Sequence, residues 1–178
     1  MHADDFNLDD AVAMLKRTPA SLSALLLDLP ERWARATEGD DSWSPYDVIV
    51  HLIHGEHTNW MPRARHILAG ERRPFDPFDR MGQLSESQGM PLGELLATFA
   101  ELRRENIAAL VGLNLTSADL SRTGQHPEFG TVRLAQLLAT WVVHDLNHLG
   151  QIVRTLAKVH TAAVGPWVAY LAILQERE

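Results

Sequence analysis

The chain has 178 residues, of which 46% are hydrophobic and 22% charged, with no cysteine and a formal net charge of −7. This length predicts a single domain over residues 1–178. The lack of cysteine excludes disulfides, thiolate metal sites and a cysteine nucleophile. Basic residues are too scattered to form the positive face on which nucleic-acid binding depends. No segment approaches the roughly 20 apolar residues of a membrane span, and residues 1–5 do not resemble a secretory signal. We therefore expect a cytoplasmic protein that binds neither nucleic acid nor membrane.

The N-terminal segment has the spacing of an amphipathic helix. Leucine and valine recur three to four residues apart over residues 8–29, and Pro19 interrupts them. The proline either kinks one long helix, which is the arrangement we favour, or stands in the first turn of a second helix that begins at Thr18. Residues 30–41 then follow as a connector.

A second long helix has a clear starting signature. Ser44 is placed as the N-cap, Pro45 at the first helical position and Asp47 at the third, which is the arrangement of a capping box. Apolar spacing continues to about residue 69, where Gly70 ends the helix, and Pro62 is an internal bending point. The sequence thus predicts a helix of about seven turns in this region.

The middle of the chain combines loops with one long helix. Residues 71–90 predict a long crossover loop, of the kind that often lines a site or an interface. Residues 91–112 predict a third helix, and because it contains no histidine we expect its inward face to be plain apolar core. A capped turn over residues 116–120 and a polar loop over residues 121–130 follow, and we expect no strand.

A fourth helix is predicted over residues 131–159, which contain no proline and a single glycine. Gly165-Pro166-Trp167 then starts a short final helix over residues 168–174, whose apolar residues we expect to cap one end of the core. Four long amphipathic segments and a long connection favour an all-α fold. The predicted architecture is a four-helix bundle with a long crossover loop and a short C-terminal helix.

Three histidines are candidate metal ligands. His144 and His148 stand one turn apart on the fourth helix, so their side chains share a face, about 5–6 Å apart at Cβ. His51 lies on the inward stripe of the second helix, whereas Glu56 is predicted to lie further round it. Neutral imidazoles suit zinc, nickel, copper and ferrous iron, and three protein ligands leave positions open for water or substrate. The alternative is a set of hydrogen-bonded core histidines.

Polar residues near these histidines are candidate orienting groups, and no catalytic residue is assigned. Asp47, Asp145 and Gln151 each lie within about one turn of a candidate ligand, where they can accept a hydrogen bond from its second ring nitrogen. The alternatives are that Asp47 only caps its helix, that Asp145 is a surface carboxylate and that Gln151 packs in the bundle. Asp145 also stands where the zinc-protease motif HExxH carries its glutamate, although its side chain is shorter.

The other histidines and the tryptophans have less specific surroundings in the sequence. Surface or boundary positions are expected for His54, His57, His66 and His160. His126 either folds over the pocket or stays exposed in its loop. Core positions are expected for Trp43, Trp60 and Trp141.

The order of these short motifs resembles a known family. Trp43-Ser44-Pro45 followed by His51, and His144-Asp145-x-x-His148-x-x-Gln151-Ile152 on the fourth helix, are similar to the DinB/YfiT-like superfamily of metalloproteins, and so is the Gly165-Pro166-Trp167 tail. The resemblance implies a four-helix bundle, often dimeric, with His51, His144 and His148 at the metal-ligand positions. Characterised relatives include S-transferases and isomerases that use low-molecular-weight thiols, and many members have no known activity.

The leading hypothesis is a metal-dependent enzyme. Its divalent transition-metal ion, with zinc or nickel favoured and manganese or iron open, would activate water or a low-molecular-weight thiol for hydrolysis of, or transfer to, a small electrophile. The expected partners are a small-molecule substrate, with such a thiol as an option, and a second copy in a homodimer. A non-enzymatic metal-binding stress-response or interaction protein stays open as an alternative, as does a metalloprotease.

Overall fold

The computed structural model of the protein describes residues 6–39, 42–79 and 89–175. Residues 1–5 lie outside these ranges, and with them the prediction about a secretory signal. Residues 40–41 of the predicted connector and 80–88 of the predicted crossover loop also lie outside them. The α-helices are α1 (Leu8–Leu15), α2 (Thr18–Leu26), α3 (Glu31–Ala34), α4 (Pro45–Thr58), α5 (Trp60–Ala69), α6 (Leu92–Gly112), α7 (Ser117–Leu120), α8 (Leu134–Lys158) and α9 (Thr161–Val164). A hairpin of β1 (Thr123–His126) and β2 (Gly130–Arg133) precedes α8, and 3-10 helices at Gly165–Tyr170 and Ala172–Leu174 follow α9.

Four long helical stretches pack side by side. The first consists of α1 and α2, the second of α4 and α5, the third is α6 and the fourth is α8. Helix α6 packs against α2 and α4, while α8 packs against α1, α4 and α5. The predicted four-helix bundle is confirmed, with a small two-stranded sheet added to it. None of the helices in the described ranges has the length and apolar character that a membrane crossing requires.

The first stretch is divided by its proline. Pro19 has no N–H, so the carbonyl of Leu15 loses the helical hydrogen bond that it would otherwise accept. The chain forms two helices on either side of this break, and the second ends at Leu26. The single kinked helix favoured for residues 8–29 is therefore wrong, and Pro19 lies in the first turn of α2.

The second stretch begins and ends as predicted but is divided in the middle. Ser44 and Asp47 form the capping box, and Gly70 ends α5 in the left-handed region at a φ of 71°. The break between α4 and α5 falls at Asn59, three residues before Pro62. Both prolines inside predicted helices thus mark helix boundaries rather than gentle bends.

A β-hairpin occupies the segment predicted as a polar loop and the start of the fourth helix. Strands β1 and β2 pair in antiparallel fashion, and Gly130 adopts a φ of 68° where β2 begins. A Cβ at Gly124 would lie only 2.8 Å from Ile67 Cγ1 and 2.8 Å from Phe75 Cζ, so glycine allows β1 to approach α5 closely. The expectation of no strand is wrong, and α8 starts at residue 134 rather than 131.

The C-terminal segment does not cap the core. Gly165 turns the chain at a φ of 58°, and 3-10 helices rather than an α-helix follow. Trp167 and Tyr170 are 69% and 83% exposed, and none of the described residues 161–175 is buried. Because short 3-10 turns do not repeat an apolar stripe as an α-helix does, the segment packs on the outside of α8.

The core consists of two apolar clusters with polar side chains between them. Along α8, apolar residues up to Trp141 belong to one cluster and those from Ile152 belong to the other. Along α6, the same division falls between Phe99 and Ile107. We call the polar side chains at this level the polar layer, and its members are His51, Glu56, Arg103, His144, Asp145 and His148.

Candidate metal centre

Three imidazoles converge in the polar layer. The Nε2 atom of His144 lies 3.1 Å from Nε2 of His51 and 3.2 Å from Nε2 of His148. His51 and His148 are buried and His144 is half-buried. Within the described ranges, these histidines form the one group of three or more His, Cys, Asp or Glu side chains whose donor atoms all lie within 4.8 Å of one another. The structure thus brings together the three residues that the sequence singles out.

Gln151 orients one of the rings. The Nδ1–H group of His148 donates a hydrogen bond of 2.9 Å to Oε1 of Gln151. This bond fixes the tautomer, so the Nε2 atom of His148 presents a lone pair to the other two histidines. A metal-ligating histidine typically has an acceptor of this kind on its second nitrogen. Gln151 therefore makes the contact expected of an orienting group.

The geometry and the hydrogen-bond status of the three rings fit a divalent transition-metal ion. Two nitrogens that each lie about 2.0–2.1 Å from one ion are separated by about 3–3.4 Å, as are the two Nε2 pairs that include His144. With the His148 lone pair directed inward, free imidazoles would have to serve both Nε2 contacts with a single N–H of His144, whereas one ion accepts the lone pairs of all three Nε2 atoms. Neutral imidazole is also a preferred ligand of zinc and its neighbours.

Two helices position the ligands. His144 and His148 lie one turn apart on α8, with ring centroids 4.4 Å apart. His51 lies on α4, whose first turn is fixed because Asp47 accepts hydrogen bonds from the backbone N–H of Ser44 at 3.0 Å and its hydroxyl at 2.6 Å. Asp47 thus caps the helix, and its predicted role in orienting a ligand stays a prediction.

Burial favours the neutral form of the histidines on α8. It lowers the pKa of His144 to about 3, and the charges that the other two histidines and Arg103 can carry act in the same direction. Burial also lowers the pKa of His148, although the hydrogen bond to Gln151 and the charge of Asp145 oppose this shift. At neutral pH these imidazoles are therefore uncharged, as metal ligation requires.

Indole rings surround the histidines. Trp43 is half-buried and stacks on His148 with ring centroids 6.1 Å apart and an interplanar angle of 15°. Trp60 meets His144 edge-on at 5.1 Å. Trp60 and Trp141 are core residues as predicted, whereas Trp43 forms a wall of the site rather than part of the fully buried core.

Phe78, in the described part of the predicted crossover loop, covers two histidines of α4. Its ring centroid lies 5.4 Å from that of His51 and 5.0 Å from that of His54. His54 is only 9% exposed, and its Nε2 atom has no hydrogen-bond partner. The expected surface or boundary position of His54 is therefore wrong, because the loop covers this side of the helix.

The remaining histidines lie elsewhere. His57 and His160 are exposed, as expected. His66 is buried, contrary to expectation, because its Nε2–H group donates to the carbonyl of Arg73 at 2.9 Å and so fastens the start of the loop. His126 is half-buried in β1, where its Nδ1 atom accepts hydrogen bonds from two backbone N–H groups of the hairpin turn.

A buried ionic cluster lies beside the histidines. Arg103 on α6 is 1% exposed, and it donates four hydrogen bonds to the carboxylates of Glu56 on α4 and Asp145 on α8. Its fifth bond, of 3.1 Å, goes to the carbonyl of Leu15 on α1, which Pro19 leaves free. All five N–H donors of the guanidinium are thus used. Burial disfavours the charge of Arg103, but the two carboxylates raise its pKa overall.

Glu56 connects the ionic cluster to two further side chains. Its Oε1 atom accepts from Nη2 of Arg103 at 2.8 Å and from the indole N–H of Trp141 at 3.1 Å. Its Oε2 atom accepts from the amide of Asn106 at 3.0 Å. The helices that carry the histidines are therefore joined directly, from Glu56 on α4 to Trp141 on α8.

Two expectations and one alternative about this part of the sequence are wrong. Glu56 does not lie away from the core, Asp145 is not a surface carboxylate, and the inward face of the third helix is not purely apolar. The apolar spacing of the third helix could have predicted that Arg103 is buried, because this residue falls four positions after the buried Phe99 and four before the buried Ile107. Since Asp145 is bonded to Arg103, it is not placed as the free base that a metalloprotease would require.

Comparisons with known proteins identify proteins that this chain resembles in sequence and in fold. Proteins of Bacillus cereus (strain 03BB102) and Bacillus mycoides (strain KBAB4), both named "putative metal-dependent hydrolase", are each 22% identical to this chain over 147 residues, which is 82% of this chain and 83% of theirs. The structure of Bacillus subtilis YfiT, described as "a probable metal-dependent hydrolase with an unusual four-helix bundle topology", is 21% identical in sequence. It covers 85% of this chain and 86% of its own, with a TM-score of 0.74.

The similarity to YfiT is a likeness of fold that extends over the whole bundle. The sequence model of the DinB superfamily matches residues 14–152, which include the three histidines and most of the bundle. This match covers well over half of the chain and contains both histidine motifs on which the resemblance rested, whereas the Gly165-Pro166-Trp167 tail lies outside it. The chain therefore belongs to the DinB superfamily.

Proposed function

We propose that the protein is a metal-dependent hydrolase whose divalent ion is held by His51, His144 and His148. The observation that carries this proposal is the convergence of three Nε2 atoms, with one ring oriented by Gln151. Relatives named as metal-dependent hydrolases support the reaction class. Zinc and nickel are the favoured ions, followed by manganese and iron, because the ligands are all imidazoles.

The ion would supply Lewis acidity, which lowers the pKa of water toward about 7 or polarises a substrate carbonyl. The chain's own residues bind and orient. The three histidines leave coordination positions open for water and a small-molecule substrate, and Gln151 keeps the lone pair of His148 directed inward. Trp43 and Phe78 provide apolar walls that exclude water from the sides of the site.

A low-molecular-weight thiol is the alternative nucleophile. The chain has no cysteine, so a thiol would have to come from a second substrate. The same three-histidine site could then serve S-transfer to a small electrophile. We expect hydrolysis to be the main reaction because of the names that the relatives carry.

The protein is further proposed to be a cytoplasmic homodimer that binds neither nucleic acid nor membrane. Support for a second copy comes from the outer face of α8, where Val143, Leu146 and Val153 are 63%, 47% and 38% exposed. These residues are spaced to form one apolar stripe, which in a monomer would face water. Light scattering of the wild type and of Leu146→Glu would test it, with a dimer expected only for the wild type.

Elemental analysis of untagged protein tests the metal site. We expect about one equivalent of a transition metal in the wild type and its loss in His51→Ala and His144→Ala. His57→Ala, an exposed histidine of the same helix α4, is the matched control and should retain the metal. No metal in the wild type after reconstitution with zinc, nickel, manganese or iron would contradict the proposal.

The reaction itself is tested with the metal-loaded protein. Panels of small esters, amides and phosphoesters, assayed with and without an added thiol, separate hydrolysis from thiol transfer. Turnover that is lost in His144→Ala is expected with water alone. A bound metal without turnover on either panel would favour the non-enzymatic metal-binding alternative.

A further inference from the structure

The ionic cluster beside the metal centre carries an excess of negative charge. Two carboxylates, those of Glu56 and Asp145, face the single guanidinium of Arg103, so the formal charges sum to −1. The side chains of Arg103 and Glu56 are 1% and 0% exposed, and that of Asp145 is 2% exposed. Water therefore does not screen the cluster, and a buried charge without a counterpart is costly.

The contacts within the cluster do not supply the missing positive charge. Arg103 has already used its five donors, and the further contacts of Glu56 are with the neutral side chains of Trp141 and Asn106. These bonds satisfy the oxygens as hydrogen-bond acceptors but leave the net charge unchanged. The cluster is thus complete in hydrogen bonds and incomplete in charge.

A series of aromatic contacts links the cluster to the histidines. The guanidinium carbon of Arg103 is 5.1 Å from the ring centroid of Trp141, and Trp141 stacks on Trp60 at 5.6 Å with an interplanar angle of 8°. Trp60 in turn contacts His144 edge-on at 5.1 Å. Both indoles are buried, so the medium is weakly polarisable and charges interact strongly across it.

We infer that the cluster of Glu56, Arg103 and Asp145 compensates the charge of a divalent cation at His51, His144 and His148. The inference rests on the proposed metal site. Three neutral imidazoles donate electron pairs but no charge, so both positive charges of the ion need a counterpart elsewhere. The cluster supplies one negative charge from outside the coordination sphere. It thereby favours divalent ions over monovalent ions such as copper(I).

Zinc affinity, measured by competition with a chelator at about pH 8, tests the sign of this effect. Asp145→Asn removes a negative charge with little change of shape and should weaken zinc binding by about 10-fold, in the range found for partners of metal ligands. Arg103→Gln removes the positive charge and should strengthen zinc binding by about 10-fold. Glu38→Gln is the matched control, because Glu38 is also an acidic partner of α8 but pairs with Arg154, away from the polar layer. The zinc affinity of this variant should equal that of the wild type.

A purely positioning role predicts a different pattern. If both Asp145→Asn and Arg103→Gln weaken zinc binding, the cluster only holds the helices and the inference is overturned. An unchanged affinity in Asp145→Asn overturns it as well. The metal site itself would fall only if the wild type bound no zinc, so the two failures are distinguishable.

A second measurement decides the question if circular dichroism shows that Arg103→Gln is unfolded without metal. Coulomb energy is proportional to the charge of the ion, so Asp145→Asn should lower copper(I) affinity by only about threefold while lowering zinc affinity by about 10-fold. Equal losses for the two ions would show that displaced ligands, rather than lost charge, cause the effect.

Discussion

The two parts of the polar layer differ in how their hydrogen bonds are satisfied. In the ionic cluster, every donor of Arg103 has an acceptor within the protein. In the histidine cluster, nitrogens of three rings face one another, and Nδ1 of His144 is buried without a partner. Native proteins leave few buried polar groups unsatisfied. The ionic cluster is therefore complete within the protein, whereas the Nε2 atoms that face one another, although not Nδ1 of His144, are placed to bind an ion.

Adjacent residues of α8 belong to the two different parts. His144 and Asp145 are neighbours in sequence, but successive side chains on an α-helix point about 100° apart. His144 therefore faces α4 and the other imidazoles, while Asp145 faces Arg103 on α6. One helix thus serves both parts without either competing for the other's partners.

The largest expected effect comes from breaking the satisfied part. Arg103→Met would leave two buried carboxylates without their cation and the carbonyl of Leu15 without its side-chain donor, and breaking a buried ion pair costs about 3–5 kcal/mol. We expect this loss in the free energy of unfolding of the metal-free protein, measured with urea. Arg104→Met removes an exposed arginine from the same helix and should cost less than about 1 kcal/mol. Similar losses in the two variants would show that the ionic cluster does not hold the bundle.

The histidine part was easier to predict from the sequence than the ionic part. His144 and His148 are separated by one helical turn, so their convergence follows from α8 alone, and the cap at Ser44 fixes the register of the helix that carries His51. Arg103 is different, because its partners lie 47 and 42 residues away along the chain. Helical spacing indicates which face a residue occupies but not which side chain it meets across the core.

The misassigned elements have similar causes. The break after Leu15 is stable because Arg103, 88 residues further along the chain, donates a hydrogen bond to the carbonyl of Leu15. The hairpin has strands of four residues each, too short to show a clear alternation, and it depends on the close approach of Gly124 to α5. In each case a tertiary contact decides between local structures that the sequence leaves open.

Metal removal should have the next largest effect, and it removes the ligand of the histidine part. An ion that binds only the folded state at 100 times its Kd adds about 2.7 kcal/mol to the free energy of unfolding. We expect a chelator to lower the Tm of the wild type and of His57→Ala accordingly. His148→Ala should melt at one temperature with or without the chelator. A wild-type Tm that does not respond would indicate that the histidines are ordinary core residues.

The orienting bond of Gln151 should contribute less. Gln151→Ala removes the acceptor of the His148 Nδ1–H group, so the ring can change tautomer or turn, and we expect zinc affinity to fall by about 10- to 100-fold. Gln151→Glu restores an acceptor and should recover most of the affinity. The measurement is a chelator competition on folded protein. Equal affinities for the wild type and Gln151→Ala would mean that packing alone holds the ring.

The pH dependence of the metal-free protein should show the smallest effect per step of the measurement, because it is spread over several pH units. Burial lowers the pKa of His144 from 6.5 to about 3. Between these values the unfolded chain binds a proton at this position and the folded chain does not, so stability falls as the pH decreases through this window. Above pH 6.5 the residue contributes no pH dependence. The slope attributable to one such group is at most about 1.4 kcal/mol per pH unit.

His144→Gln isolates this contribution, since glutamine does not titrate and the carboxylates of the chain are the same in both proteins. We expect the free energy of unfolding of the wild type, measured by urea unfolding with a chelator present, to fall more steeply below pH 6.5 than that of the variant. Parallel curves would mean that His144 titrates in the folded protein as it does in the unfolded chain. The ring would then be accessible to water and could take up protons freely, and the unsatisfied nitrogen that distinguishes the histidine part from the ionic part would be solvated.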